Sequence, residues 1–215
     1  MGAHIREQVS KKWYAPRVVE VGNKVFGKFR TGKKDNYEYF DVLDGALREI
    51  VLEIGEFDGE PTRSYNFILV DEDGSQSILQ SSEQSAFAQS MLSKLASLEL
   101  IDTVSISAYV YQINDKNIVL PSIRVGGEKI KPYYRSIRRD DDPDDALYLP
   151  ETHEIMVNNK KVTDKTERLR FLEDLHHALN ARMVNNPANW RIDDQEPVHE
   201  KPKEKPTEEF DDVPF

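Results

Sequence analysis

Apolar and polar positions alternate with period two through most of residues 17–125, which predicts strands. Residues 17–30 predict the first, with Val19, Val21, Val25 and Phe29 on one face. Glu20, Lys24, Lys28 and Arg30 occupy the other face, interrupted by Val18 and Phe26. Thr31 to Asn36 reads as a basic turn, Tyr37-Glu38-Tyr39-Phe40 follows, and Asp44-Gly45 reads as a break. Residues 47–57 predict a strand with Ile50, Leu52 and Ile54 opposite Glu49 and Glu53. Turns at Asp58-Gly59-Glu60-Pro61 and at Asp71 to Gly74 separate it from strands at 63–70 and 75–79, a three-strand meander. The period then changes. Ser82 to Ser85 opens a helix with Phe87, Met91, Leu95 and Leu98 at helical spacing. Alternation returns at 103–113, where Val104, Ile106, Ala108 and Val110 oppose Ser105, Ser107, Tyr109 and Tyr111. After a turn at 114–117, residues 118–125 form the last strand, where Pro121 requires an edge or a bulge.

The predicted class is therefore mainly β with some α. Three strands, one helix and two strands is the order of an OB-fold, and the segment resembles that small Greek-key barrel with its helix between strands 3 and 4. A small β-sandwich with a helical insert gives a similar pattern. The predicted organisation is a basic arm at 1–16, an OB-like core at 17–125, an extension at 126–186 and a disordered acidic tail at 187–215. The extension contains a small hairpin at 153–163 around Asn158-Asn159. Its helix, 164–184, is opened by Thr163 or Asp164 and stacks Leu169, Leu172, Leu175, Leu179 and Met183. Asn185-Asn186-Pro187 stops it.

The net charge of −10 argues against nucleic acid until its distribution is read. Residues 193–215 hold nine acids and three lysines, and 140–154 hold seven acids without Lys or Arg. Residues 1–40 carry nine Lys/Arg against four acids, and 122–139 carry six against one. Two basic segments are thus masked in the total by two acidic ones. Within the basic segments, aromatic and cationic residues interleave, the combination that stacks bases and follows phosphates. The candidate nucleic-acid contacts are Lys12, Trp13, Tyr14 and Arg17; Lys24, Lys28, Arg30, Lys33, Lys34 and Tyr37; Tyr109 and Tyr111; and Arg124, Lys129, Lys131, Tyr133, Tyr134 and Arg135. Phe29 follows the aliphatic face and reads as core.

Other chemistry finds little support. There is no cysteine, so no disulfide or thiolate site, in keeping with a reducing cytoplasm. No apolar run reaches membrane-spanning length, and no membrane partner is expected. Asp140, Asp142, Asp144 and Glu151 have calcium-loop spacing, but Asp145 stands where that loop needs glycine and Pro143 interrupts it. His176 and His177 are adjacent and point to different helix faces, while His153 and His199 lack cysteine partners. Glycine-rich phosphate loops, Gly-x-Ser-x-Gly and His-Glu-x-x-His are all missing. No cofactor, metal or catalytic role is expected.

The chain ends in Phe210-Asp211-Asp212-Val213-Pro214-Phe215, behind a stretch from Asp193 to Glu209 whose only large apolar residue is Val198. Such a stretch buries too little apolar surface to offset its ordering entropy and predicts a disordered tether. A ring, a terminal carboxylate and two aspartates suit an apolar pocket rimmed by cations on another protein. This tip resembles that of bacterial single-stranded DNA-binding proteins, which end in Asp-Asp-(Ile/Val/Leu)-Pro-Phe. The resemblance implies recruitment of replication, recombination and repair enzymes through residues 210–215, single-stranded DNA as ligand, and the cytoplasm of a bacterial or phage-infected cell. Residues 1–192 show no close match to that family, as expected of a divergent, phage-encoded member. The functional expectation is a non-enzymatic protein that coats and protects unwound DNA. An adaptor that captures host enzymes without binding DNA, and an OB-fold RNA-binding protein, stay open.

Overall fold

Gly22, at φ 60°, divides what the sequence reads as one strand. The computed structural model describes residues 10–113, 115–136, 142–158 and 160–183. In it β1 (Lys11–Val21) turns at Gly22-Asn23 and pairs antiparallel with β2 (Lys24–Lys33), Ala15 opposite Arg30 and Val21 opposite Lys24. The predicted single strand 17–30 is corrected to a hairpin. Valines on both sides of the turn preserve the alternation and hide the break. Lys11 to Pro16, expected in the arm, are the first six residues of β1.

β3 (Asn36–Phe40) pairs with β2, and β4 (Val42–Phe57), β5 (Glu60–Val70) and β6 (Gln76–Ser82) make the meander. Asp44-Gly45 is not a break but part of β4. Gly45 takes φ 152°, and a Cβ there would stand 3.1 Å from the Val70 carbonyl oxygen. The β4–β5 turn uses Asp58 at φ 52° and Gly59 at φ 80°, the left-handed pair that a tight hairpin requires. Helix α1 (Ala86–Leu95) starts where Ser85 accepts a 3.0 Å hydrogen bond from the Ala88 N–H, and Leu98 lies beyond its end. β7 (Thr103–Ile113) and β8 (Lys116–Val125) follow, then β9 (Glu128–Lys129).

These strands form one curled nine-stranded sheet in the order β3-β2-β1-β6-β5-β4-β7-β8-β9. The described residues are thus mainly β with two helices. Local patterns give no warning of the β1–β6 ladder, a parallel pairing of Lys11–Tyr14 with Gln76–Leu79. The sheet curls until β2 meets β7. A Cβ on Gly27 would lie 2.8 Å from backbone atoms of Ala108 and Tyr109, so only glycine permits this crossing. Phe29, Leu47, Phe67, Leu79, Met91 and Ile106 fill the concave side, with Phe87 of α1 edge-on to Phe29.

Short strands β10 (Tyr134–Arg135) and β11 (Leu147–Tyr148) pair with each other. The expected hairpin forms from β12 (His153–Val157) and β13 (Lys160–Asp164), with Asn158 at φ 50°; Asn159 lies outside the described residues. Helix α2 (Thr166–Asn180) buries Leu172, Leu175 and Leu179 and closes on the sheet through polar contacts. The β4–β7 ladder ends at Ala46, opposite the first residue of β7, and the Asn180 amide takes the β4 edge beyond it. It donates to the Ile50 carbonyl and accepts from the Ile50 N–H, both at 2.8 Å. No described helix is long and apolar enough to cross a membrane.

Candidate nucleic-acid interface

Strand alternation and the β1–β2–β3 ladders bring one group of predicted contacts together. Trp13 and Arg17 lie on the same face of β1. Arg17 pairs across the ladder with Lys28, and Arg30 with Tyr39. The Arg30 guanidinium sits 4.2 Å from the centroid of the Tyr37 ring. Lys28 lies 6.0 Å from the Phe26 ring and forms a 3.1 Å ion pair with Asp41. Partial burial lowers the Arg17 pKa, neighbouring Arg30 adds to this, and Tyr37 and Tyr39 act against it. Trp13, Phe26, Tyr37 and Tyr39 all expose more than a third of their surface. The patch therefore offers cations and ring faces together, the two elements that single strands need. Phe26 and Tyr39 were not predicted. Their signal was the alternation itself, which put Phe26 among Lys24, Lys28 and Arg30 and set Tyr39 two residues from Tyr37.

A second group stands on β7–β9. Tyr109 and Tyr111 share a face and are exposed. Arg124 pairs with Ser105 on one side and Lys129 on the other. Lys129 and Lys94 place their ammonium groups 5.9 Å and 5.8 Å from the Tyr109 ring. The two groups adjoin at the crossing, because Phe26 and Lys28 flank Gly27 and Tyr109 belongs to the backbone it touches.

No protein-family model, no curated protein and no solved structure matches this chain. The site therefore rests on its own geometry.

Lys94 was not predicted, since it stands between Leu92 and Leu95 on a core helix. It is buried and donates to the Pro121 carbonyl. Burial, then Lys129, lowers its pKa from 10.5 to about 8. A folded-state pKa below the unfolded one means that the unfolded chain holds the extra proton between about 8 and 10.5, so stability should rise with pH across that window. Lys94→Met should lack this rise. Thermal unfolding of both proteins across the window checks it, and parallel Tm profiles would contradict it. The Tyr109 hydroxyl is shifted upward by burial first and by Tyr111 second, so it stays protonated and available to a base or phosphate.

The remaining candidates divide. Lys12, Lys24, Lys33 and Lys34 are exposed, Lys24 beside the β1–β2 turn and Lys33 and Lys34 at the β2–β3 turn. Lys12 faces away from Trp13. Lys131 and Tyr133 are exposed near the end of α1, where Ser97 donates to the Lys131 carbonyl. Tyr14 is instead a core residue, edge-on to Phe40 with centroids 5.5 Å apart, and offers no platform. Tyr134 packs edge-on against Phe171, and its main chain exchanges hydrogen bonds with Ser93. Arg135 pairs with the buried Asp142 carboxylate, which also accepts from the Tyr148 hydroxyl. Tyr134 and Arg135 thus anchor the extension. The tip, Phe210 to Phe215, lies outside the described residues. Among the described residues no cluster of three or more metal-ligating side chains occurs.

Proposed function

We propose that this chain is a single-stranded DNA-binding protein that coats unwound strands and recruits replication and repair enzymes through residues 210–215. The observation that carries the reading is the outward patch of Arg17, Lys28, Arg30, Tyr37 and Tyr39, with Arg30 4.2 Å from the Tyr37 ring. The topology supports it. A meander (β4–β6), a helix and a β7–β8 hairpin paired back onto β4 follow the element order expected of an OB-type barrel. In this chain β1 occupies the free edge of β6.

The patch binds by stacking bases on exposed rings while guanidinium and ammonium groups neutralise phosphates. Neither contact reads sequence, which suits a coat. Gel shifts of the full chain on oligo-dT, oligo-rU and a duplex test the reading. Preference for oligo-dT supports it, preference for oligo-rU points to RNA, and binding to none contradicts it.

The tip makes a separate expectation. Aromatic anchors commonly dominate small interfaces, with losses of about 2 kcal/mol on truncation. Deleting Phe215 removes the ring and moves the terminal carboxylate onto Pro214, leaving net charge unchanged. DNA affinity should hold, while affinity for a nuclease or helicase that reads such tips should fall by about tenfold or more. Titration of that enzyme with both proteins checks it, and equal affinities would leave the tip without this role.

A further inference from the structure

The β1–β6 ladder stops after four residue pairs, although β6 continues for three more residues to Ser82. β1 turns away at Ala15 to pair with β2. Pro16 has no N–H, so the parallel ladder does not resume there. The two strands diverge around a cleft of about 770 Å³ whose far wall is the start of β8. Its lining includes Pro16, Arg17, Ser64, Gln80, Glu83 and Ile118. The volume falls within the roughly 300–1,000 Å³ common for small-ligand sites.

The cleft shares residues with the face that carries the basic patch. Trp13 lies opposite Ile78 in the β1–β6 ladder. Arg17 shares the face of Trp13 and Gln80 that of Ile78, because both are an even number of residues away. Arg17 therefore belongs both to the patch and to the cleft.

Its chemistry is mixed in a particular way. Pro16, Ile118 and Phe87 supply apolar walls. Gln80 donates to Glu53 at 3.1 Å and to Ser64 at 3.3 Å, which directs its amide carbonyl to accept. Glu83 is buried to 3% side-chain exposure and lies 3.2 Å from Arg63, yet its Oε1 makes no hydrogen bond. The main chain of residues 80–82 has no ladder partner on the β1 side. A planar group with apolar faces and a rim of donors and acceptors matches this lining. An added peptide strand matches it less well, since Pro16 and Pro61 both interrupt the rim.

Resting on the single-strand reading, we propose that this cleft receives one nucleobase of the bound strand, flipped out from its neighbours, while Arg17 holds the adjoining phosphate. A base in a single strand is already unpaired, so moving it costs little unstacking energy. The cleft would give the coat a base preference that the patch alone lacks.

The test uses the full chain and an oligo-dT of about ten nucleotides carrying one 2-aminopurine. Enclosure away from neighbouring bases should raise the probe's emission by about twofold or more on binding. Ser82→Trp fills the mouth of the cleft from an exposed position and should abolish the rise, with binding still seen by anisotropy. Gln80→Leu should reduce it and serves if the first variant fails to fold. A bound oligomer with unchanged emission would overturn the cleft proposal alone, as would a rise that survives in the variants. Failure of any oligomer to bind would overturn both this proposal and the single-strand reading.

Discussion

Arg63→Met should destabilise the protein by about 2 kcal/mol at neutral pH, because it leaves the buried Glu83 carboxylate without its cation, a cost below that of a fully buried pair since Arg63 is itself 39% exposed. Arg63 reaches two carboxylates from β5. Its Nη2 is 3.2 Å from Glu83, whose side chain is 3% exposed, and 2.9 Å from Glu173 on α2, which is 43% exposed. Only Glu83 loses an indispensable partner, because water solvates Glu173. Burial raises the Glu83 pKa and Arg63 lowers it. Without Arg63 the pKa rises further, and the carboxyl group takes up a proton more readily when folded than when unfolded. A raised carboxyl pKa gives stability that is present at low pH and lost as pH rises. The loss in the variant should therefore be largest at neutral pH and shrink on acidification toward the ordinary glutamate value of 4.5. Denaturant titrations at the two pH values check this. Glu173→Gln is the control and should cost under about 1 kcal/mol, as exposed pairs do. An Arg63→Met loss that does not change with pH would contradict the assignment.

Replacing Arg17 and Arg30 together by alanine should cut affinity for oligo-dT by about 20-fold at roughly 0.1 M salt, if each neutralises one phosphate. Each neutralised phosphate contributes about 0.7 to the log–log salt slope, so the double variant should flatten it by about 1.4. Tyr37→Leu should instead weaken binding by about 1–3 kcal/mol with the slope preserved, since stacking releases no counterions. Arg30 couples the two effects through its 4.2 Å contact with the Tyr37 ring. Titrations at several salt concentrations separate them. A double variant with the wild-type slope would remove β1–β3 from the interface.

The meander, both helices and the β7–β8 and β12–β13 hairpins were legible because each is a local pattern closed by a turn or cap with its own chemistry, as at Asp58-Gly59 and Asn158. Features set by distant residues were not. The β1–β6 ladder joins segments more than sixty residues apart, and the Gly27 crossing depends on Ala108. Asn180 reads in sequence as an interior position of the helix predicted at 164–184, although its amide replaces a missing strand beside Ile50. The site shows the same division. Trp13, Arg17, Lys28, Arg30, Tyr37, Tyr109 and Lys129 were named from composition and alternation. Which of them share a face followed only from register. Tyr14 was misread for the same reason, because the ladder with Leu79 turns it into the core.

The most direct test of single-strand binding is fluorescence anisotropy of the full chain with a labelled oligo-dT of about thirty nucleotides and with a duplex of equal length, across roughly 0.05–0.3 M salt. Saturable binding to oligo-dT, about tenfold or more tighter than to the duplex and weakening steadily with salt, is the expected result. Equal affinity for the two, or no binding to oligo-dT at the lowest salt, would contradict it.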